Sequence, residues 1–289
     1  MVPPDQASRR GWKRPFLFLL VGLTLTVGCT GLLQNIGARW ATRQISEVFA
    51  LDEAQQEATR AAVDRVMASA PDVLEARVGL LVATVDRALS KGLNEQNMRV
   101  IERQIDVLLD KTAAWIIDEA TPILATLRDD QIDHAQRQLD ERLEKTREEL
   151  GKPTEERIRD RQEKFVEAIE EWTGSLNDAQ EKAIRAYVAV MPDEAADGLR
   201  ADERRLTEIA DGLRQHPGEP AVRDLLWNAW KNREDWGPST RSPEARRADG
   251  RKTLLFVYGL LDAEQKDHMS KRLHEVHDRV KRFLGIAGA

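Results

Sequence analysis

The side chains best suited to metal or acid–base chemistry are few and scattered in this sequence. Of five histidines, only His274 and His277 stand three residues apart with an acid, Asp278, beside them. That spacing puts both rings on one helix face, but a closed zinc site needs four ligands and a catalytic one three. Motifs for a nucleophilic serine, a phosphate loop or a zinc protease are missing from the sequence. We therefore expect surface histidines here, with no metal site, no cofactor and no catalytic residue.

The single cysteine, Cys29, stands in a context that indicates lipid attachment. It follows Gly28 and an apolar run of 12 residues, 16–27, which four basic residues between Arg9 and Arg14 precede. A basic segment, an apolar segment of about 7–15 residues and a small residue at its end make up a secretory signal. The arrangement resembles a bacterial lipoprotein signal. This resemblance implies cleavage before Cys29, acylation of Cys29 and, because Thr30 follows, an outer-membrane lipoprotein in the cell envelope that faces the periplasm.

An uncleaved membrane anchor is the alternative interpretation of the same stretch. Residues 16–33 are 18 residues without a charge, which is just long enough to span a bilayer. The basic flank would then remain cytoplasmic by the positive-inside rule. Both interpretations place everything after about residue 30 in the periplasm, joined to a membrane.

Composition restricts the class of the remaining chain. The net charge is −6, and it becomes more negative without residues 1–28, which hold four basic residues and one acidic residue. Nucleic acid is therefore not an expected partner, because phosphates require a basic surface. No disulfide can form within a chain that has one cysteine. With 33% charged and 5% aromatic residues, long solvated helices fit better than a compact enzyme.

Apolar residues recur every three or four positions almost throughout, so the fold class is all-α. We predict an elongated helical bundle with a long charged hairpin over 122–172, in which a helix from Pro122 to Leu150 packs against one from Thr154 to Trp172. Prolines and glycines, Pro71 among them, are expected to separate helices. The predicted organisation is a signal peptide (1–28), a tether with the first helix (29–50), a helical body (51–236) and a C-terminal helical pair (237–289).

A short Leu-x-x-x-Gln pattern recurs at predicted helix starts. Three copies predict capping boxes, in which the N-cap side chain accepts from the third helical N–H and the glutamine accepts from the N-cap N–H. A fourth copy ends at Gln131 and a fifth carries asparagine, Asn97, in the last place. The predicted capping pairs are Asp52 with Gln55, Asn177 with Gln180, and Asp262 with Gln265.

The same pattern supports a family resemblance. The order of Cys29, the segment 51–55, the segment 127–131 and the segment 176–180 resembles an uncharacterised family of helical bacterial lipoproteins, over roughly residues 29–236. Leu-x-x-x-Gln motifs are also similar to those of Spy-type periplasmic chaperones. The resemblance implies an envelope location and no assigned activity.

Three tryptophans, Trp227, Trp230 and Trp236, are candidates for partner binding. The first two share a face of the helix predicted over 221–236, and the third ends it. Exposed aromatic rings of this kind suit a partner or an unfolded client, whereas buried rings are core.

Three functions remain open on the sequence alone. The favoured one is a non-enzymatic, membrane-anchored module that binds envelope proteins or acts as a chaperone. The second is a structural spacer within an envelope complex, and the third is an enzyme whose site is assembled from scattered acids and histidines.

Overall fold

The computed structural model describes residues 30–238 and 240–286, and side chains from Ala38 onward. Cys29 and the whole signal segment lie outside these residues. The described residues form ten helices and no strand, so the predicted all-α fold is confirmed. In chain order the helices are α1 (Thr30–Phe49), α2 (Glu53–Lys91), α3 (Glu95–Leu124), α4 (Asp129–Gly151), α5 (Thr154–Thr173), α6 (Asp178–Ala189), α7 (Ala195–Arg214), α8 (Glu219–Lys231), α9 (Pro243–Leu260) and α10 (Ala263–Phe283). Within this part of the chain, no helix combines the length and apolarity needed to cross a membrane.

Helices α2 and α3 form the first antiparallel hairpin. Its turn carries Gly92 at φ 85°, a left-handed value that favours glycine. Arg65 of α2 pairs with Glu119 of α3 at 2.8 Å near the open end, and Ala88 packs with Met98 and Ile101 near the turn. With 39 residues, α2 is about 58 Å long at 1.5 Å per residue.

The expected break at Pro71 is wrong, because α2 runs through it. A proline inside a helix removes one backbone hydrogen bond. Tertiary packing compensates, since Ala70 and Leu74 on either side of Pro71 are buried against Leu284 at the end of the chain.

The prediction of one helix from Pro122 to Leu150 is also wrong. Pro122 belongs to the last turn of α3, and α4 starts only at Asp129. Leu127 lies in the turn between these helices, where it belongs to the core and is 2% exposed. The Leu-x-x-x-Gln motif itself thus ends one helix and starts the next.

The charged hairpin exists in a different form from the one predicted. Helices α4 and α5 do not pack against each other: α4 packs on α7, and α5 packs on α6. The two residues between α4 and α5 have extended backbones, with ψ 154° at Lys152 and 144° at Pro153, and do not reverse the chain. The reversal comes later, at Gly174 (φ 78°).

The second hairpin therefore has two bent arms, α4–α5 going out and α6–α7 returning. Its contacts keep one antiparallel register across both bends. They are Arg214–Asp133 at 2.7 Å, Arg147–Glu203 at 2.6 Å, Arg157–Asp193 at 3.0 Å and the Gln162 side chain to the Arg185 carbonyl at 2.8 Å. From the first pair to the last, the residue number rises along the outgoing arm while the number of its partner falls along the returning arm.

The remaining helices connect the two hairpins. Helix α1 packs on α2 and α4, α8 packs on α3 and α7, and α10 packs on α2 and α5. Helix α9 packs on α3, so the last two helices pack mainly on the body and not on each other. The base core gathers Leu51, Leu127, Ile132, Leu213 and Val222, and the tip core gathers Val166, Ile184 and Val188 with Leu260 beside them.

Candidate functional site

The three predicted capping boxes are present in the structure. The side chains of Asp52, Asn177 and Asp262 each accept from the third helical N–H at 2.8–3.0 Å. The glutamines three residues later accept in return from the N-cap N–H groups at 3.0–3.1 Å. The N–H of Gln55, together with the Arg128 guanidinium, lowers the pKa of Asp52. The leucines that open the motifs of α2, α4 and α10 are buried.

The glutamines do more than cap, because they pair across the fold. The Nε2 of Gln55 donates to Oε1 of Gln131 at 3.1 Å, and the Nε2 of Gln131 donates back to Oε1 of Gln55 at 2.6 Å. The second amide proton of Gln55 reaches the Thr126 carbonyl and that of Gln131 reaches the Ala50 carbonyl, both at 3.0 Å. We call this arrangement of Gln55 and Gln131 the base clasp.

The same arrangement recurs at the far end of the molecule. Gln180 donates to Gln265 at 2.7 Å and receives a hydrogen bond from it at 3.0 Å. Their second protons reach the carbonyls of Leu260 and Ser175 at 2.8 and 2.9 Å. In both cases the carbonyl belongs to the residue just before the leucine of the opposite motif. We call the Gln180–Gln265 pair the tip clasp.

An amide is the chemical group that this geometry requires. Each glutamine uses two donors, and its oxygen accepts twice, from the N-cap N–H and from the partner amide, so all four positions are satisfied. Glutamate at the third position would still cap but has no proton to donate when ionised. In the fifth motif the equivalent residue is Asn97, which accepts from the Asn94 N–H but meets no second motif, and its Nδ2 donates to the Gly92 carbonyl at 2.9 Å.

The clasps join helices that are distant in sequence. The base clasp connects the start of the first hairpin to the start of the second, and the tip clasp connects the turn of the second hairpin to α10. The sequence predicted the caps and missed the pairing. The available signal was the residue at the third helical position. It is glutamine in each of the paired motifs, although glutamate would serve an isolated capping box equally well.

The tryptophan candidates do not form one exposed aromatic surface. Trp227 and Trp230 lie on α8, half-buried, while α8 ends at Lys231 and leaves Trp236 in the following turn. The predicted helix over 221–236 is therefore too long. Lys231 lies 4.6 Å from the centre of the Trp227 ring.

Arginines cover the other two rings. The Trp230 N–H donates to Asp110 at 2.9 Å, and Arg233 lies 4.1 Å from its ring centre. Arg246 lies 3.9 Å from the Trp236 ring centre. These rings act as internal contacts between α3, α8 and the segment before α9.

A network of ion pairs holds this side of the molecule. Arg251 of α9 is 1% exposed and reaches Glu95, Glu102 and Glu244 at 2.7–2.9 Å. These carboxylates raise the pKa of Arg251, Glu244 first. Because an uncompensated buried charge is costly, Arg251 favours an arrangement of α9 against α3 that keeps these carboxylates within reach.

A second arginine makes a similar bridge. Arg247 pairs with Asp106 and Glu234, both at 2.6 Å. The hydrogen bond from Arg247 lowers the pKa of Glu234. Asp110 loses some hydration by partial burial, but hydrogen bonds from Lys231 and Trp230 outweigh that effect and lower its pKa.

The histidines show no converging ligand set. His274 contacts Asp86 at 3.3 Å, and His277 adds no ligand to it. Among the described residues, no group of three or more histidines, cysteines or acids is placed to hold a metal ion.

Comparison with known proteins gives one result. Residues 80–241, more than half of the chain, match DUF6279, a family of unknown function. The chain belongs to this family. No curated protein and no solved structure matches it. Membership agrees with the expectation of an uncharacterised family, although the DUF6279 region begins later than the predicted 29–236.

The DUF6279 region contains one glutamine of each clasp. Gln131 and Gln180 lie inside residues 80–241, whereas their partners, Gln55 and Gln265, lie before and after it. Each clasp thus fastens the family region to a flanking segment of the chain.

Proposed function

We propose that this protein is a bacterial envelope lipoprotein, held at a membrane through lipid on Cys29, whose helical body faces the periplasm and binds other proteins without catalysing a reaction. The observation that carries the proposal is the apolar run ending at Gly28-Cys29, followed directly by α1. Several acyl chains on one cysteine would give stable anchoring, since one chain alone binds only reversibly.

The non-enzymatic part of the proposal is supported by how the polar side chains are used. The acids and arginines of the body are engaged mainly in pairs with one another, as for Arg247 and Arg251. The Leu-x-x-x-Gln motifs, similar to those of Spy-type chaperones, are used within the fold as clasps. A client would therefore meet the outer faces of the hairpins, where Leu80 is 59%, Val107 51% and Val190 81% exposed.

A structural spacer is the second candidate, and the clasps favour it. A body fastened at both ends through buried amides keeps a fixed length, and α2 alone spans about 58 Å. A spacer predicts one partner in constant stoichiometry, whereas a chaperone predicts many clients.

The test of the anchor compares wild type with Cys29→Ala in cells fed a labelled fatty acid. We expect label on the wild type in the outer-membrane fraction, and neither label nor outer-membrane location for Cys29→Ala. Identical fractionation of the two proteins without label would refute lipidation and favour an uncleaved anchor.

The test of binding uses cross-linking in cells followed by capture of the protein. We expect envelope proteins to be captured by the wild type and to be lost or changed with Cys29→Ala. One stoichiometric partner, together with no effect on aggregation of unfolded model proteins, would select the spacer. No captured protein and no effect on aggregation would refute both.

A further inference from the structure

Helix α1 carries a row of polar and basic side chains along its C-terminal half. Arg39, Thr42, Arg43 and Ser46 are spaced by three or four residues and therefore share one face. Together with Glu47 of the same helix and with Gln56 and Arg60 of α2, they line an open depression of about 410 Å³. Three guanidinium groups and one carboxylate, that of Glu47, thus line one concavity between the first two helices, and cations outnumber anions there.

The charge of this depression is only partly compensated. Arg43 pairs with Glu47 at 2.7 Å and Arg60 with Glu57 at 2.9 Å, both through exposed side chains. Among the side chains that the structure describes, none forms an ion pair with Arg39. Arginine presents several N–H groups in a planar fork that fits phosphate, so each of the three retains donors for an anion.

An aromatic ring borders the same face. Trp40 is 42% exposed and stands three residues before Arg43, on the adjoining side of α1. A half-exposed tryptophan beside arginines is typical of the membrane–water interface, where the ring lies at the level of the headgroups.

The position along the chain decides which anion is available. Arg39 is ten residues after Cys29, about 15 Å along a helix. If Cys29 is lipidated, as proposed above, a helix lying close to the bilayer plane brings this face to the headgroup phosphates.

We propose that Arg39, Arg43 and Arg60, with Trp40 beside them, form a docking site for the headgroup of an anionic phospholipid, which lays α1 along the membrane surface. This inference rests on the proposed anchor. Each arginine near an anionic surface is expected to contribute roughly a fivefold change in the docking equilibrium, and high salt should weaken it.

The test uses the full-length protein, purified from membranes and reconstituted into vesicles of phosphatidylcholine alone or with phosphatidylglycerol. The readout is the quenching of Trp40 fluorescence by brominated lipid. The Trp40 signal is the emission that is lost in the Trp40→Phe variant. We expect stronger quenching in the vesicles that contain phosphatidylglycerol. Arg39→Gln/Arg43→Gln/Arg60→Gln should then need a severalfold higher phosphatidylglycerol fraction for half-maximal quenching.

A matched control removes the same charge elsewhere. Arg87, Arg137 and Arg142 are exposed on α2 and α4, and changing all three to glutamine should leave the titration unchanged. An equal loss of quenching in both triple variants, or equal quenching in both vesicle types, would overturn the docking site. If the protein still sedimented with the vesicles, the anchor would remain supported. A protein that stays in solution with both vesicle types would overturn the anchor and the docking site together.

Discussion

The base clasp offers a sharp test of what the repeated motif does. Replacing Gln131 with alanine removes the two hydrogen bonds that its amide exchanges with Gln55, the one to Ala50 and the one from the Arg128 N–H. Gln131 is fully buried and Gln55 is 7% exposed, so water does not readily replace the lost partners. At about 0.5–1.5 kcal/mol for each of these bonds, the loss is roughly 4 kcal/mol.

The chain contains its own control in the unpaired fifth motif. Asn94 is the N-cap of α3, and Asn97, the third helical residue, completes the capping box but reaches no second motif. Asn97→Ala loses only the hydrogen bond from the Asn94 N–H and the one to the Gly92 carbonyl, so it should cost about 1–2 kcal/mol. Urea denaturation followed by circular dichroism at 222 nm measures both variants on the same scale.

Replacing Gln131 with glutamate distinguishes a clasp from a plain capping box. In a plain box Gln131→Glu is harmless, because glutamate accepts the same N-cap hydrogen bond. In the clasp, it places a carboxylate against the Gln55 oxygen and the Ala50 carbonyl without a proton to share, so it should destabilise at pH 7 by at least as much as alanine. A Gln131→Glu variant as stable as wild type, or equal losses for Gln131→Ala and Asn97→Ala, would refute the pairing argument.

Two further predictions concern packing and charge. Gly212→Ala should destabilise by about 1–3 kcal/mol, because its new methyl group would lie 2.5 Å from a Leu225 carbon; Gly79→Ala, with open space around it, should stabilise by up to about 1 kcal/mol in the same urea assay. The folded-state pKa of Glu234 lies below its ordinary 4.5, so its pair with Arg247 contributes stability above that pH and loses it as the pH falls through the lower value. The urea midpoint of Glu234→Gln should therefore fall less between pH 5 and pH 3 than that of the wild type. Parallel declines of the two midpoints would contradict this assignment.

Helix content and capping were predictable from local sequence because both depend on neighbours within four residues. The stripes of α2 and α3 and the boxes at Asp52, Asn177 and Asp262 follow directly from spacing. The course of the chain at its prolines was not predictable in this way. Pro71 lies inside α2 where the neighbouring Ala70 and Leu74 pack against the distant Leu284, a contact that local sequence does not reveal.

The helices against which the charged helices pack could not be predicted from local sequence either. A short connection at Lys152 and Pro153 suggested a hairpin, but extended dihedrals carry the chain onward, and the reversal falls at Gly174. The pairing of glutamines needed knowledge of which motifs meet in space. The role of Trp230 likewise depended on Asp110, 120 residues away in the chain.

The most direct measurement of the proposed anchor is the intact mass of the protein purified from membranes. We predict a polypeptide that begins at Cys29 and carries the added mass of acyl chains. Ester hydrolysis should remove the ester-linked chains and leave the chain that is amide-linked to the amino group of Cys29. A polypeptide that retains residues 1–28, or a mature chain with an unmodified Cys29, would contradict the account.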